Sequence, residues 1–251
     1  MILILLKLIL AHLIGDFFLQ PVNWVKDKEK RKLKSVWLYI HVAVHIALMF
    51  LIVWDLSYTV LIFSIGLLHL IIDGLKLTLQ KIKLLVVLLM NFIPLQKKKT
   101  RRLFFFIDQL LHVSTIAILV PIFAKSDFEF TLNLDLLLII CIAFLTKPTS
   151  ILMKTIFSKW NISKLTKDNE SLKDAGKYIG VLERLLVFIF IVVGHWEAVG
   201  FLITAKSVFR FGDLTATKER KLTEYILIGT FLSFGIAIVV SLIYINLKPY
   251  V

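Results

Sequence analysis

The apolar positions of this chain gather into long runs separated by short polar breaks. Several runs approach or exceed the roughly 18–20 residues that a helix needs to span a bilayer. The pattern predicts membrane helices at 2–20, 35–54, 58–80, 103–124 and 132–154, and a last one at 223–246. A further apolar unit at 178–211 contains Gly194 and Gly200 and has a short second arm. It reads either as a hairpin of two helices or as one spanning helix plus a partial one. The stretch 84–93 is too short to span and is stopped by Pro94, which predicts an interfacial helix. The expected fold is an all-α polytopic transmembrane helical bundle of about seven to eight membrane helices. Its expected organisation is a metal-binding four-helix core at 1–124, followed by C-terminal membrane helices at 125–251.

The polar positions inside the first four runs are not scattered. They read His12-Leu-Ile-Gly-Asp16, His41-Val-Ala-Val-His45, His69-Leu-Ile-Ile-Asp73 and Asp108-Gln-Leu-Leu-His112. Five of the six histidines of the chain fall in these pairs. Ionisable groups inside apolar membrane segments are costly, and so they mark function by default. Residues four apart on a helix share a face one turn apart, so both can reach one ion. The pairs on the first and third helices are near repeats, which suggests duplicated hairpins at 1–54 and 58–124.

Composition agrees with the run pattern: 59% of the 251 residues are hydrophobic and the mean hydropathy is +0.87. The net charge of +13 would point to nucleic acid in a soluble protein. Here the bases lie between apolar runs, so the expected partners are the bilayer and anionic lipid, with no nucleic acid. Segment 21–34 holds Lys26, Lys28, Lys30, Arg31, Lys32 and Lys34. Segment 74–102 holds Lys76, Lys81, Lys83 and the cluster from Lys97 to Arg102 with no acid, and 147–177 is also lysine-rich. The positive-inside rule then puts these segments in the cytoplasm and the N-terminus outside, in a plasma (inner) membrane. The first run lacks a charged n-region and a small-residue cleavage site, so a retained helix is expected. Cys141 is the single cysteine, which excludes an internal disulfide and a cysteine-rich zinc site.

On that topology the fourth motif is written backwards because its helix runs the other way. All eight groups then sit roughly 6–15 Å inside the cytoplasmic ends of their helices. Imidazole with carboxylate suits a divalent transition metal: zinc first, with manganese or iron as alternatives. The ligand set His12, Asp16, His41, His45, His69, Asp73, Asp108 and His112 exceeds what one four-coordinate ion needs. One or two ions are expected, and Asp73 and Asp108 are the candidate catalytic acids or bases. Gln20 and Gln109, beside Asp16 and Asp108, are candidate contacts to a substrate or a ligand. The competing reading is that each pair is an interhelical hydrogen bond without metal.

The second half carries Glu183, Arg184, Lys206, Arg210 and Glu224 in apolar surroundings. One reading is ion pairing that holds the bundle together. The other has Arg184, Lys206 and Arg210 gripping an anionic substrate group such as phosphate.

The stretches 10–20, 41–45, 69–73 and 108–112 resemble an uncharacterised bacterial multi-pass membrane family, domain of unknown function 3307. So do Gly180-Val-Leu-Glu-Arg184, Ala205-Lys-Ser207 and Glu224-Tyr-Ile-Leu-Ile-Gly-Thr230. The likeness names a family without naming an activity. The His-x-x-x-Asp pairs are similar to those of cation diffusion facilitators, and the His-x-x-x-His pair to membrane di-iron desaturases. This chain has more ligands than the first pattern, and more aspartate with fewer histidines than the second.

The function expected from these residues is an intramembrane metal-dependent hydrolase acting on a lipid or phosphate-containing substrate at the cytoplasmic leaflet. The alternatives are a divalent-cation transporter or sensor, a membrane di-iron oxidase, and a non-catalytic membrane subunit. Metal identity, substrate and oligomeric state are not written in the sequence.

Overall fold

The computed structural model describes the backbone of residues 1–89, 97–123, 135–160, 175–211 and 217–250. Side chains are described at 1–79, 102–123, 135–160, 175–208 and 223–250. All regular structure among the described residues is helical. The chain forms two compact units, Met1–Leu136 and Leu137–Val251.

In the first unit, α1 (Ile2–Leu13) runs into a π-helical turn (Ile14–Phe18). The chain then bends by 83° into a short polar helix, α2 (Val22–Arg31). Pro21 sits at the bend in extended backbone, where its missing N–H is harmless at a helix start. The sequence pattern predicts a loop over 21–34. Instead Trp24 stacks on Trp37 with ring centroids 4.7 Å apart. Asp27 also accepts a 2.6 Å hydrogen bond from the Ser35 hydroxyl. These contacts dock α2 against α3 (Val36–Val53).

The long helices α4 (Thr59–Leu89) and α5 (Lys97–Phe123) complete the unit. Each of α1, α3, α4 and α5 packs on the next, and α5 closes back on α1, so the four make a ring. The separate interfacial helix expected at 84–93 is not seen. Residues 84–89 continue α4 without a break, and 90–93 lie outside the described residues. Inside the ring, Ile4, Leu8, Met49, Ile62, Ile65 and Ile116 belong to one buried apolar core. Outward positions such as Leu51, Val60, Leu67, Leu110 and Ile118 are apolar and exposed, as lipid-facing residues would be. Lys7 is buried and its ammonium donates to the Val53 carbonyl at 3.1 Å, satisfying the C-terminal end of α3.

In the second unit, the run expected as one helix at 132–154 is broken. α6 (Leu136–Leu145) and α7 (Lys147–Phe157) meet at Thr146, whose backbone leaves the helical region. Pro148 cannot donate the hydrogen bond that a continuous helix needs there. Segment 178–211 resolves into α8 (Ala175–Val192) and α9 (Trp196–Phe211). Gly194, at φ +86°, makes the turn between them. The last helix, α10 (Thr217–Leu247), packs on α7 and α8, with Phe188 and Tyr244 in ring contact at 5.6 Å.

Among the described residues, five helical stretches are long and apolar enough to cross a membrane: 36–53, 56–79, 102–123, 136–157 and 223–250. The bent pair at 2–34 makes a sixth if it counts as one span. α8 carries Lys177, Glu183 and Arg184, and α9 has only 16 residues, so neither is among these stretches.

Candidate metal centre

The four ring helices bring all eight predicted ligands to one level. His12 stands at the end of α1, and Asp16 lies within the π turn. π turns are often found at functional positions, because they re-aim a side chain within an otherwise regular helix. Here Asp16 Oδ1 lies 3.1 Å from both His41 Nε2 and His45 Nε2. Gly15 makes that approach feasible. A β-carbon there would collide with the His45 imidazole.

From α4, His69 Nε2 comes within 3.2 Å of His41 Nε2 and 3.8 Å of Asp16 Oδ1. His112, on α5, stacks on His69 with centroids 3.9 Å apart. Its Nε2 lies 3.7 Å from Asp73 Oδ1 and 3.6 Å from Asp108 Oδ1. His12 Nε2 is 3.8 Å from Asp16 Oδ2. Every one of these histidines is buried, as are Asp73 and Asp108, while Asp16 is half-buried.

Two ligand groups emerge. Asp16, His41, His45 and His69 each offer an atom within 4.8 Å of the others, and so do His69, Asp73 and His112. They share His69. Asp108 stands beside the second group.

These groups can hold a metal ion. Two ligands each roughly 2.0–2.2 Å from a tetrahedral zinc would be about 3.3–3.6 Å apart. The observed separations of 3.1 to 3.8 Å bracket that edge length. Three buried atoms, His12 Nε2, His112 Nε2 and Asp108 Oδ1, have no hydrogen-bond partner. Each such orphan costs about 1–3 kcal/mol, which a bound cation or its water would recover. A cavity of about 10 Å³ adjoins His12, His45, His69 and His112, and beyond them Met49 and Thr115. It has room for roughly one water.

The cluster has two unlike sides. On one lies the apolar core, built from residues before His12 and His69 and after His45 and His112. On the other lie polar groups: two lysines outside the four pairs, and Gln109. Lys28, from α2, donates to Asp73 Oδ2 at 2.8 Å and is itself buried. Lys76 donates to Asp108 Oδ2 at 2.6 Å. In the sequence both look like topology charges. The one available signal was Lys76, which follows Asp73 by three positions and so shares its helix face. Gln109 donates to Asp16 Oδ2 at 2.8 Å and also reaches Asp108 Oδ2 at 3.4 Å. Gln20, a candidate contact from the sequence, lies half-buried beyond the π turn.

Of the predicted anion-binding residues of the second half, Arg184 and Lys206 have partners within the second unit. Arg184 is buried and donates to the carbonyls of Leu145, at 2.7 Å, and Thr146, at 3.4 Å. It also reaches the Ser150 and Ser233 hydroxyls at 2.9 and 3.2 Å. It thus caps carbonyls freed where α6 breaks from α7, a structural duty that occupies its planar fork. Lys206 pairs with Glu183 at 2.5 Å. The Arg210 side chain lies outside the described residues.

No curated protein and no solved structure matches the chain. A family profile matches residues 4–139, more than half of the chain. The matched region contains all eight ligand residues together with Lys28, Lys76 and Gln109, and stops short of Arg184 and Lys206. The chain therefore belongs to the protein family of unknown function DUF3307.

Proposed function

We propose that the four-helix ring is a metal-binding core and that this protein is an intramembrane metal-dependent hydrolase. Its substrate carries a phosphate or a comparable ester at the leaflet nearest the lysine-rich segments, which the positive-inside rule makes the cytoplasmic one. The observation that carries this reading is the one-sidedness of the cluster. An apolar core backs the histidines, while Lys28, Lys76 and Gln109 face them from the other side. A transporter needs access from both sides, whereas a hydrolase needs one open face.

Asp16, His41 and His45 would hold one ion and Asp73 with His112 a second, with His69 between them. Zinc, manganese or iron fits this donor set. When bound, such an ion supplies an activated water and polarises a phosphoryl or carbonyl oxygen. Asp108 keeps Oδ1 without a hydrogen-bond partner and is the residue placed to accept the proton of the attacking water. The water oxygen bonds to phosphorus, the ester P–O bond breaks, and the leaving alkoxide takes up a proton. Gln109 orients Asp16 and Asp108.

The test uses full-length protein in lipid nanodiscs, loaded with zinc or manganese and supplied with lipid phosphate mono- and diesters. Metal-dependent release of headgroup or phosphate is expected, with a loss of roughly a hundredfold or more in Asp108→Asn. Metal-loaded protein that hydrolyses none of these substrates, yet moves the ion into sealed vesicles, would establish the transporter instead.

A further inference from the structure

Lys28 and Lys76 are strange neighbours for a metal site. They come from different elements, α2 and α4, and each holds the outer oxygen of an aspartate whose other oxygen faces His112. The order is Lys28, Asp73, His112, Asp108, Lys76, a symmetric relay of cation and anion about one imidazole. Lys28 is buried by the docking of α2, through the Trp24–Trp37 stack and the Asp27–Ser35 hydrogen bond. Lys76 is less enclosed, with 28% of its side chain exposed.

The charges explain why this pairing matters. With neutral imidazoles, three carboxylates face two ammonium groups, leaving the cluster with one negative charge in excess. One bound dication turns it net positive, and a second makes it strongly so. A net positive charge in low dielectric recruits an anion. A metal ion at Asp73 would also compete with Lys28 for that carboxylate. Each ammonium has three donors, of which a carboxylate uses one here, so donors remain for a second acceptor.

We propose that Lys28 and Lys76 form the anion-binding half of this site, which grips a tetrahedral phosphate-type oxyanion between their ammonium groups and the metal centre. This inference rests on the hydrolase reading and names how its substrate is held. Before metal arrives, the two lysines neutralise Asp73 and Asp108 and keep the empty ring stable. After it arrives, they are freed toward the incoming phosphate. Metal and phosphate therefore bind with positive coupling, each tightening the other by the same factor.

The experiment is titration of inorganic phosphate into full-length protein in nanodiscs, with and without manganese, followed by calorimetry and by phosphorus relaxation. Phosphate is expected to bind the manganese-loaded protein only. The Lys28→Met/Lys76→Met protein is expected to keep its manganese, at equal or higher affinity, and to lose at least about tenfold in phosphate affinity. Lys28→Arg, which retains the charge, is expected to recover most of it. Wild-type phosphate affinity in a manganese-loaded double variant would overturn the anion site and leave the metal reading standing. Wild-type protein that takes up no manganese overturns both. If the double variant does not fold, the partly exposed Lys76→Gln is measured alone, and unchanged phosphate affinity there overturns the proposal. Nanodiscs containing phosphatidate, compared with phosphatidylcholine, identify the source of the oxyanion. Competition by phosphatidate points to a lipid headgroup, and its absence to free phosphate.

Discussion

Gly15 and His45 lie so close that no side chain fits between them. A β-carbon at Gly15 would fall on the imidazole ring, and the π turn brings the next residue, Asp16, to 3.1 Å from His45 Nε2. One missing methyl group therefore fixes how near α1 approaches α3 at the level of the ligands.

Gly15→Ala should push His45 out of place and weaken metal binding by roughly tenfold or more, in line with other losses of ligand positioning. Gly235→Ala is the control, because nothing lies within 4 Å of a β-carbon there. It should be neutral or stabilise by about 0.5–1 kcal/mol, since alanine is the better helix former. Metal affinity by calorimetry and thermal unfolding in detergent check both.

The shared position of His69 gives a counting experiment. His112→Ala removes a ligand from one group and His41→Ala from the other, so each should lower metal content by about one ion in a two-ion centre. His69→Ala touches both groups and should lower it further than either. Elemental analysis of the purified variants reads the result. Equal metal content in all three would refute the two-ion arrangement.

Arg184→Met should destabilise the second unit without changing metal content. Uncapping the Leu145 carbonyl leaves a buried acceptor unpaired, which costs about 1–3 kcal/mol. The measurement is thermal unfolding beside elemental analysis. Loss of phosphate binding with unchanged stability would return Arg184 to the anion-binding role considered from sequence.

Orientation can be read with single cysteines. Cys141 is 4% exposed and should resist a membrane-impermeant maleimide. In Lys30→Cys, label should enter from the cytoplasmic side only. In Leu56→Cys, on the turn between α3 and α4, it should enter from the outside only. Reversed labelling would turn the site to the other leaflet.

The buried His and Asp cluster was legible because burial of polar groups in apolar helices is costly, and a sequence displays that cost directly as polar letters in apolar runs. The i,i+4 spacing needed only helical periodicity to put each pair on one face. Lys28 was not legible, because a lysine in a short polar segment reads as a topology signal until the chain folds back over it, whereas Lys76 had only its spacing from Asp73 to mark it. The bend at Pro21 and the docking of Trp24 on Trp37 bring Lys28 to Asp73, 45 residues away. Arg184 shows the converse. Its charge in an apolar helix is as conspicuous as any ligand, yet its partners are backbone carbonyls freed at Thr146. Carbonyls are the same at every position, so no residue pattern announces which of them lack a partner.

The sequence by itself determined the helical class, the apolar spans and the eight groups able to ligate a cation, because each is set by local composition and helical period. Tertiary structure alone decided that six of these groups form two clusters sharing His69, which carboxylates are held by lysines, and that an apolar core backs the histidines. Those outcomes depend on which helices adjoin in the ring and on a π turn that re-aims Asp16, and neither is encoded within any single segment.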